Sequence, residues 1–419
     1  MQHVVIIGAG LIGAGLAYRL TQVGARVTVV EAQGAPATMA SGHSFGWINA
    51  SYYLGAAHHH LRVAGMAAHH RLARDLGTHL WDWQGCLWVE DEPALDKMAA
   101  ELGALGYAFQ DLAQGRVADL VPALANPPPR ALYFAQEGAV DPAALTRALL
   151  AKAEAAGAKV VLNAPVSGLI QRGDRVCGVR LGQELVECDQ VVLAAGTGAA
   201  PLLAGIGFAL PMLQRPGVIL ATQPVPRRLD HILALHGQEL RQDRQGRLWL
   251  PVAAHHQADT AETLPADPQA SVDAALDALN ALFQGPAILH ADHWAAAFRP
   301  VPGDGLPAVG AVAPGLWLAV LHSGVTLGPL VAEALAGEVL GAPAPPFWPP
   351  LDLRAFGPKL PLQNENGAPV GRAVWGMYRK IRPLESNDRH RCRYRPASHQ
   401  CGSVGCTWPN GPSVTASRF

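Results

Sequence analysis

At 419 residues, half of them hydrophobic, the chain can bury a core large enough for two domains, or for one large domain with an inserted lobe. A formal net charge of −1 offers no field for a polyanion, so nucleic acid is not expected as a partner. Six cysteines without a CxxC pair point to reduced thiols in a cytoplasm and to no structural zinc; the apolar start is too short and glycine-broken for a signal peptide, and no apolar run reaches membrane-span length.

The chain begins with a β-branched run, His3 to Ile7, which ends in Gly8-Ala9-Gly10-Leu11-Ile12-Gly13. Apolar residues then recur at helical spacing through Ala17, Leu20 and Val23, and a second strand, Arg26 to Val30, stops at Glu31. Each glycine has its own task. Gly8 takes the backbone angles of a tight turn, Gly10 lets a pyrophosphate approach, and Gly13 lets helix and strand pack closely. The unpaired N–H groups of the helix start suit the phosphates, and Glu31 stands where a carboxylate accepts from adenosine ribose hydroxyls. A glycine triplet alone is an ordinary turn, but strand, turn, helix, strand and acid in this order within one βαβ unit point to a bound adenine dinucleotide.

The loop Met39 to Ala50 is rich in small and hydroxyl side chains. Ser41 and Ser44 suit phosphate or ribityl oxygens, and Trp47 suits the wall of a pocket; a polar loop with one buried tryptophan is the equal alternative. An amphipathic helix is predicted over 56–76, carrying His58, His59, His60, His69 and His70. No acid or cysteine stands at ligand spacing beside them, so surface and packing roles are expected and no metal site. A second helix is predicted over 92–105.

Gly138 to Pro142 precedes a helix over 143–156, and Lys159 to Leu162 returns as a strand. A β-rich run from Val166 leads to Gln190-Val191-Val192-Leu193, an apolar strand that rejoins the first sheet and ends at Ala195-Gly196. Short strands broken by Pro, Gly and charge follow over 205–293, with one helix near 271–283, and read as a second, largely antiparallel lobe. Arg299-Pro300 and Asp304 to Gly310 come next, then a strand over 316–321, and His322 to Pro329 opens a helix running to about Leu340. This second glycine-bearing helix start offers a positive dipole end to an electron-rich ring edge.

Taken together, the Gly8/Gly10/Gly13/Glu31 fingerprint, the Ala40-Ser41 loop, Gly138 to Pro142, Val192 to Gly196, Arg299-Pro300 with Asp304 to Pro307 and Gly310, and His322 to Pro329 resemble the D-amino acid oxidase superfamily of FAD-dependent oxidoreductases, of the glycine oxidase, sarcosine oxidase and D-amino acid dehydrogenase type. The pieces run in the family's order over residues 1 to about 356. The resemblance implies an α/β fold with an α+β second lobe: a Rossmann-like FAD-binding domain at 1–55, 138–204 and 300–345, and an interleaved, mainly antiparallel substrate or cap domain at 56–137 and 205–299. It implies FAD rather than NAD, and oxidation of a C–N bond of an amino acid or amine by hydride transfer to flavin N5, followed by hydrolysis of the imine.

Carried over residue by residue, FAD contacts are expected from Gly8, Gly10, Gly13, Glu31, Ser41, His43, Ser44, Gly46, Val166, Ala195, Gly196, Gly310 and the run Gly324, Val325, Thr326 and Leu327. His322, Arg299 and Trp47 are the candidate catalytic and substrate residues. Several relatives grip the substrate carboxylate with an arginine where this chain has His322, which either orients substrate or caps a carbonyl; Arg299 is either a carboxylate clamp or a strand-end structural residue. Positions of covalent flavin attachment correspond to Gly46 and an alanine-rich segment, so a noncovalent cofactor is expected.

Beyond Phe356 the family-like sequence stops. Residues 357–419 carry ten Lys/Arg against three Asp/Glu and read as a disordered tail, with an acidic-surface ligand as the alternative. Substrate reading divides between primary amino acids or amines and secondary or N-methyl amines, with oxygen, a quinone or a protein as electron acceptor. A non-catalytic FAD-binding subunit of a hetero-complex is the alternative from another class, and an NAD-dependent dehydrogenase leaves the late His322 to Pro329 turn unexplained.

Overall fold

In the computed structural model, the described residues are 1–252, 260–285 and 288–342. The expected tail at 357–419, and the stretch from 343 to 356 before it, lie outside them.

Five parallel strands and one antiparallel edge strand build the first sheet, in the order Ala308–Ala313, Leu316–Val320, Gln190–Leu193, His3–Ile7, Arg26–Val30, Lys159–Val161. Ile6 stands opposite Val192 in the central pair, so the late apolar strand does rejoin the first sheet. All five residues of His3–Ile7 are buried, as a parallel strand covered on both faces requires. Val4 and Ile6 point into a core shared with five helices, whereas Val5 and Ile7 point into a second core with Val176, Val179, Leu203 and Phe208. That alternation follows from the two-residue period of a strand.

The helix Leu11–Gln22, hereafter the fingerprint helix, packs on Pro142–Ala155 and on Gly324–Val339, the late helix. Its approach to the late helix is close: a Cβ on Gly15 would sit 3.1 Å from Ala332 Cβ.

The second lobe is an eight-stranded sheet in the order Ala291–Phe298, Pro216–Thr222, Leu248–Pro251, Gln238–Gln242, Ile232–Leu235, Cys86–Val89, Arg130–Phe134, Gln110–Ala113. Every pairing is antiparallel except Ile232–Leu235 with Cys86–Val89. The sequence reading missed Cys86–Val89 and Arg130–Phe134 as members of this sheet. Each is a run of four or five residues whose partner lies far away in sequence, and so brief a run carries no period of its own. A small sheet of Trp47–Ile48, Gly138–Val140 and Trp81–Asp82 stands beside the two larger ones. Among the described residues no helix is long and apolar enough to cross a membrane.

The histidine-bearing helix spans Ala56–Leu76, and its histidines divide: His58, His59 and His69 are buried, while His60 and His70 are exposed. His69 has a specific task. Pro329 stands inside the late helix without an N–H, so it cannot bond the carbonyl of Val325 four residues earlier. The Nε2 of His69 reaches that carbonyl instead, at 2.7 Å, and its Nδ1 accepts from the Trp81 indole at 2.9 Å. Both ring nitrogens are therefore engaged in the neutral tautomer, and burial holds the His69 pKa down at about 4, from 6.5. His58, whose Nδ1 accepts from the Leu54 N–H, is likewise held down at about 4 by burial.

A histidine kept neutral in the folded chain takes up its proton first in the unfolded one. Its contribution is whole above pH 6.5 and is lost as pH falls toward about 4. For His69 the loss should amount to roughly 3 kcal/mol. Thermal melts from pH 7.5 to 4.5 should show Tm falling below pH 6.5, and His69→Leu should melt lower at pH 7.5 and lose part of that slope. An unchanged slope in the variant would refute the assignment.

Candidate active site

The fingerprint glycines are required by contact. Gly8 has φ +105°, and a Cβ there would lie 2.6 Å from the Ala194 carbonyl oxygen. A Cβ on Gly13 would lie 2.0 Å from the carbonyl oxygen of Gly8, so the helix could not seat on its strand with any other residue. Gly10 caps the helix with extended backbone and no side-chain bond, and the first helical N–H, of Leu11, donates to Ser41 Oγ at 3.0 Å. Glu31 ties the same turn together: Oε2 accepts from the Ala9 N–H at 2.7 Å and Oε1 from the Gln33 N–H at 2.9 Å.

Above these residues opens a cavity of about 550 Å³. Gly8, Gly10, Glu31 and Ser41 line one part of it, and Val166, Ala195 and Gly196 another. It shares Leu11, Ile12, Ser41, Phe298, Pro300 and Leu321 with a second cavity of about 160 Å³, so the two form one crevice. The second is lined by His43, Ser44, Gly46 and Trp47 from the early loop, by Arg299, and by His322 with Gly324, Val325 and Thr326 at the late helix start. Gly13, Gly310 and Leu327 line neither cavity. Gly13 acts through packing, Gly310 has φ +138° in the edge strand Ala308–Ala313, and Leu327 is fully buried.

Trp47 spends its indole N–H on Glu137 Oε2 at 3.1 Å, which leaves its ring as a wall. Thr326 Oγ1 donates to the Trp47 carbonyl at 3.3 Å, joining the early strand to the late helix. Arg299 donates through Nη2 to the Pro216 carbonyl at 2.9 Å and through Nε to the Arg215 carbonyl at 3.3 Å. His322 Nδ1 lies 3.2 Å from Ser323 Oγ. Ser323 itself caps the late helix in the left-handed region, at φ 57°, a conformation that a non-glycine residue holds only where its surroundings enforce it.

Two charged residues of this site were missed by sequence reasoning. Arg62, 1% exposed, lines the second cavity, donating through Nε to the Asn49 carbonyl at 3.0 Å and through Nη1 to Ser323 Oγ at 2.5 Å. Burial pulls its pKa down to about 10, and the charge of Glu137 is the foremost opposing influence, so Arg62 stays cationic at neutral pH. Glu137 is fully buried and accepts from four donors: the Trp47 indole, the Ala50 and Ser51 N–H groups and the Tyr107 hydroxyl. Burial raises its pKa and these bonds oppose the rise. A signal for Arg62 existed in hindsight. Arg62, Gly65 and His69 recur at helical spacing, and all three meet the first turn of the late helix. Glu137 had no comparable signal.

The crevice fits a flavin dinucleotide on its own evidence. Gly8 and Gly10 line the larger cavity without side chains, the fingerprint helix aims its N-terminus at it, and buried His43 Nδ1 in the smaller one has no hydrogen-bond partner among the described residues. Gly8, Gly10, Ser41 and Ala195 to Gly196 would hold the diphosphate side, and the late helix start with His43 the ring side. Among the described residues no group of three or more His, Cys, Asp or Glu is arranged to hold a metal.

Gly13→Ala should cost about 1–3 kcal/mol or more through overpacking, visible as a lower Tm and a lower flavin content on purification. Glu137→Gln turns an amide donor toward the Trp47 indole N–H and should destabilise the fold by about 1–3 kcal/mol. It should also shift tryptophan fluorescence; wild-type Tm and spectrum would contradict this wiring.

A family model described as FAD dependent oxidoreductase (DAO) matches residues 3–338. Glycine oxidase of Pseudomonas aeruginosa is 27% identical over an alignment of 367 positions that covers 82% of this chain and 98% of the relative. Among solved structures, glycine oxidase from Geobacillus kaustophilus aligns with a TM-score of 0.72 at 22% identity, over 85% of this chain and 98% of that one. Iminodiacetate oxidase from Chelativorans sp. aligns with the same TM-score, identity and coverage, and at this identity both likenesses speak for the fold. Matched along far more than half of its length, with the fingerprint and the two-part crevice in place, the chain belongs to the DAO family of FAD-dependent oxidoreductases.

Proposed function

We propose that this protein oxidises the C–N bond of a small amino acid or amine, and that its product imine is hydrolysed in water. The observation that carries this reading is the smaller cavity, which opens off the dinucleotide crevice and is lined by Trp47, Arg62, Arg299 and His322 and, among the described residues, by no aspartate or glutamate. Glycine oxidase of Pseudomonas aeruginosa, covered over 98% of its length, supports the amino-acid class.

FAD, which Gly8, Gly10, Ser41 and Ala195 to Gly196 would hold with the late helix start, would supply the two-electron acceptor for the substrate's α-hydrogen. Everything else falls to the chain. Arg299 is the candidate carboxylate clamp, its guanidinium steadied by the Arg215 and Pro216 carbonyls. Trp47, pinned through its indole N–H to Glu137, limits the substrate's freedom. Two guanidinium groups in the lining, without a carboxylate to offset them, disfavour a substrate ammonium and favour the neutral amine, the form whose lone pair assists hydride departure. His322, beside the cap of the late helix, orients the amine end.

The cofactor is read as noncovalent, the acceptor as oxygen, a quinone or a protein, and the setting as cytoplasmic on the reduced-thiol composition, with Cys86, Cys177 and Cys188 free. The proposed division keeps 1–55, 138–204 and the described part of 300–345 for FAD, with 56–137 and 205–299 covering the substrate. A secondary-amine substrate is the second reading, favoured by the likeness to dimethylglycine dehydrogenase of Mus musculus, 28% identical over 59% of this chain and 30% of that relative.

Anaerobic mixing of the FAD-loaded protein with glycine, D-amino acids, sarcosine and proline should bleach the flavin absorbance with at least one of them. Bleaching by sarcosine or proline alone would select the secondary-amine reading. Full retention of colour with the whole panel, and with iminodiacetate added, would refute C–N oxidation and leave a flavin-binding subunit.

A further inference from the structure

A guanidinium removed from water is stable only where acceptors and an opposite charge answer it. Arg62 has five N–H donors, and among the described residues two of its nitrogens are bonded, Nε to the Asn49 carbonyl and Nη1 to Ser323 Oγ. Neither acceptor carries a charge. Its guanidinium lies 5.7 Å from the Tyr52 ring centroid, which orients it without neutralising it. Among the described residues no carboxylate lies within ion-pair distance of it, and the buried Glu137 and Glu239 support its charge only from farther away. Glu137 has committed its two oxygens to Trp47, Ala50, Ser51 and Tyr107. Arg62 is nevertheless a wall residue of the smaller cavity, as Arg299 is from a different element, and among the described residues that wall contains no acid.

We propose that the counter-charge comes from the substrate: the site takes an amino acid with two carboxylates, and Arg62 receives the one that Arg299 does not. This rests on the amine-oxidation reading above and narrows it to an amino dicarboxylate. The bracing of Arg62 by Asn49 and Ser323 sets the plane of its fork in advance, so little side-chain entropy is lost when a carboxylate docks. Arg62 is on this account a specificity-determining residue that touches the substrate at a distance from the bond that breaks.

The test uses the FAD-loaded full chain, with flavin absorbance as the readout of binding by carboxylates that cannot be oxidised. Malonate and succinate should bind at least about ten-fold more tightly than acetate and propionate, the gain of one further charge-assisted pair. Arg62→Met should bring that ratio to within about two-fold, and Arg62→Lys should recover part of it. In anaerobic reduction, iminodiacetate, aspartate or glutamate should outperform glycine and sarcosine, with Arg62→Met raising the half-saturating concentration more than it lowers the limiting rate. Melting curves of both variants separate misfolding from lost recognition, and Arg62→Lys carries the test if Arg62→Met does not fold.

Equal binding of mono- and dicarboxylates by the unaltered protein overturns the proposal. So does a shift of the flavin midpoint potential in Arg62→Lys with the dicarboxylate preference intact, because the charge then serves the cofactor. If glycine bleaches the flavin and dicarboxylates show no preference, this proposal fails and amine oxidation stands. If dicarboxylates bind tightly and no amine bleaches the flavin, the reverse holds.

Discussion

The site depends on how one turn of helix is held. The late helix must begin at Gly324 so that its first N–H groups face the cavity, yet its own sequence works against a stable start, with a left-handed serine as cap and a proline at the sixth position. A single stripe of the Ala56–Leu76 helix compensates. Arg62 bonds the cap hydroxyl, Gly65 allows the backbones to approach where a Cβ would meet the Thr326 carbonyl at 2.5 Å, and His69 supplies the donor that Pro329 lacks. Three residues at helical spacing thus satisfy the cap, the contact and the orphan carbonyl of a neighbouring helix. Because the same turn lines the smaller cavity, its stability and the geometry of the site are one problem.

Charge placement reinforces this arrangement. Glu137 is fully buried, and it repays its desolvation by organising four donors that fix Trp47 and the chain after it. Arg62 sits in the same interior at longer range, so each buried charge moderates the cost of the other while neither is consumed in a direct pair. The result is a cavity whose wall carries Arg62 and Arg299 and, among the described residues, no acid.

The other end of the crevice is governed by contact distance. Gly13 against the Gly8 carbonyl and Gly8 against the Ala194 carbonyl hold helix, first strand and late strand close together, with the helix start just beyond the end of an internal strand of the sheet. Glu31 and Ser41 then bind the turn from outside through the Ala9 and Leu11 N–H groups. The Rossmann-like half is therefore a rigid base, and the antiparallel half with the early loop shapes what comes to rest on it.

What the sequence by itself determined was the dinucleotide end: strand, glycine turn, helix and terminal acid are consecutive, and their roles arise from local backbone geometry that spacing records. It also foretold the return of Gln190–Leu193 to the first sheet, since an apolar run ending in glycine has few other places to go. Only the tertiary structure decided the substrate end. Arg62 and His69 meet the first turn of the late helix from one helix and Glu137 meets Trp47 from another segment, and what makes each of them matter is burial beside a partner distant in sequence: Ser323, Val325 and Trp47. Residue type announces neither burial nor partner. A histidine on an amphipathic helix reads the same whether it faces water or replaces a proline's missing hydrogen bond, and that difference exists only once the two helices have met.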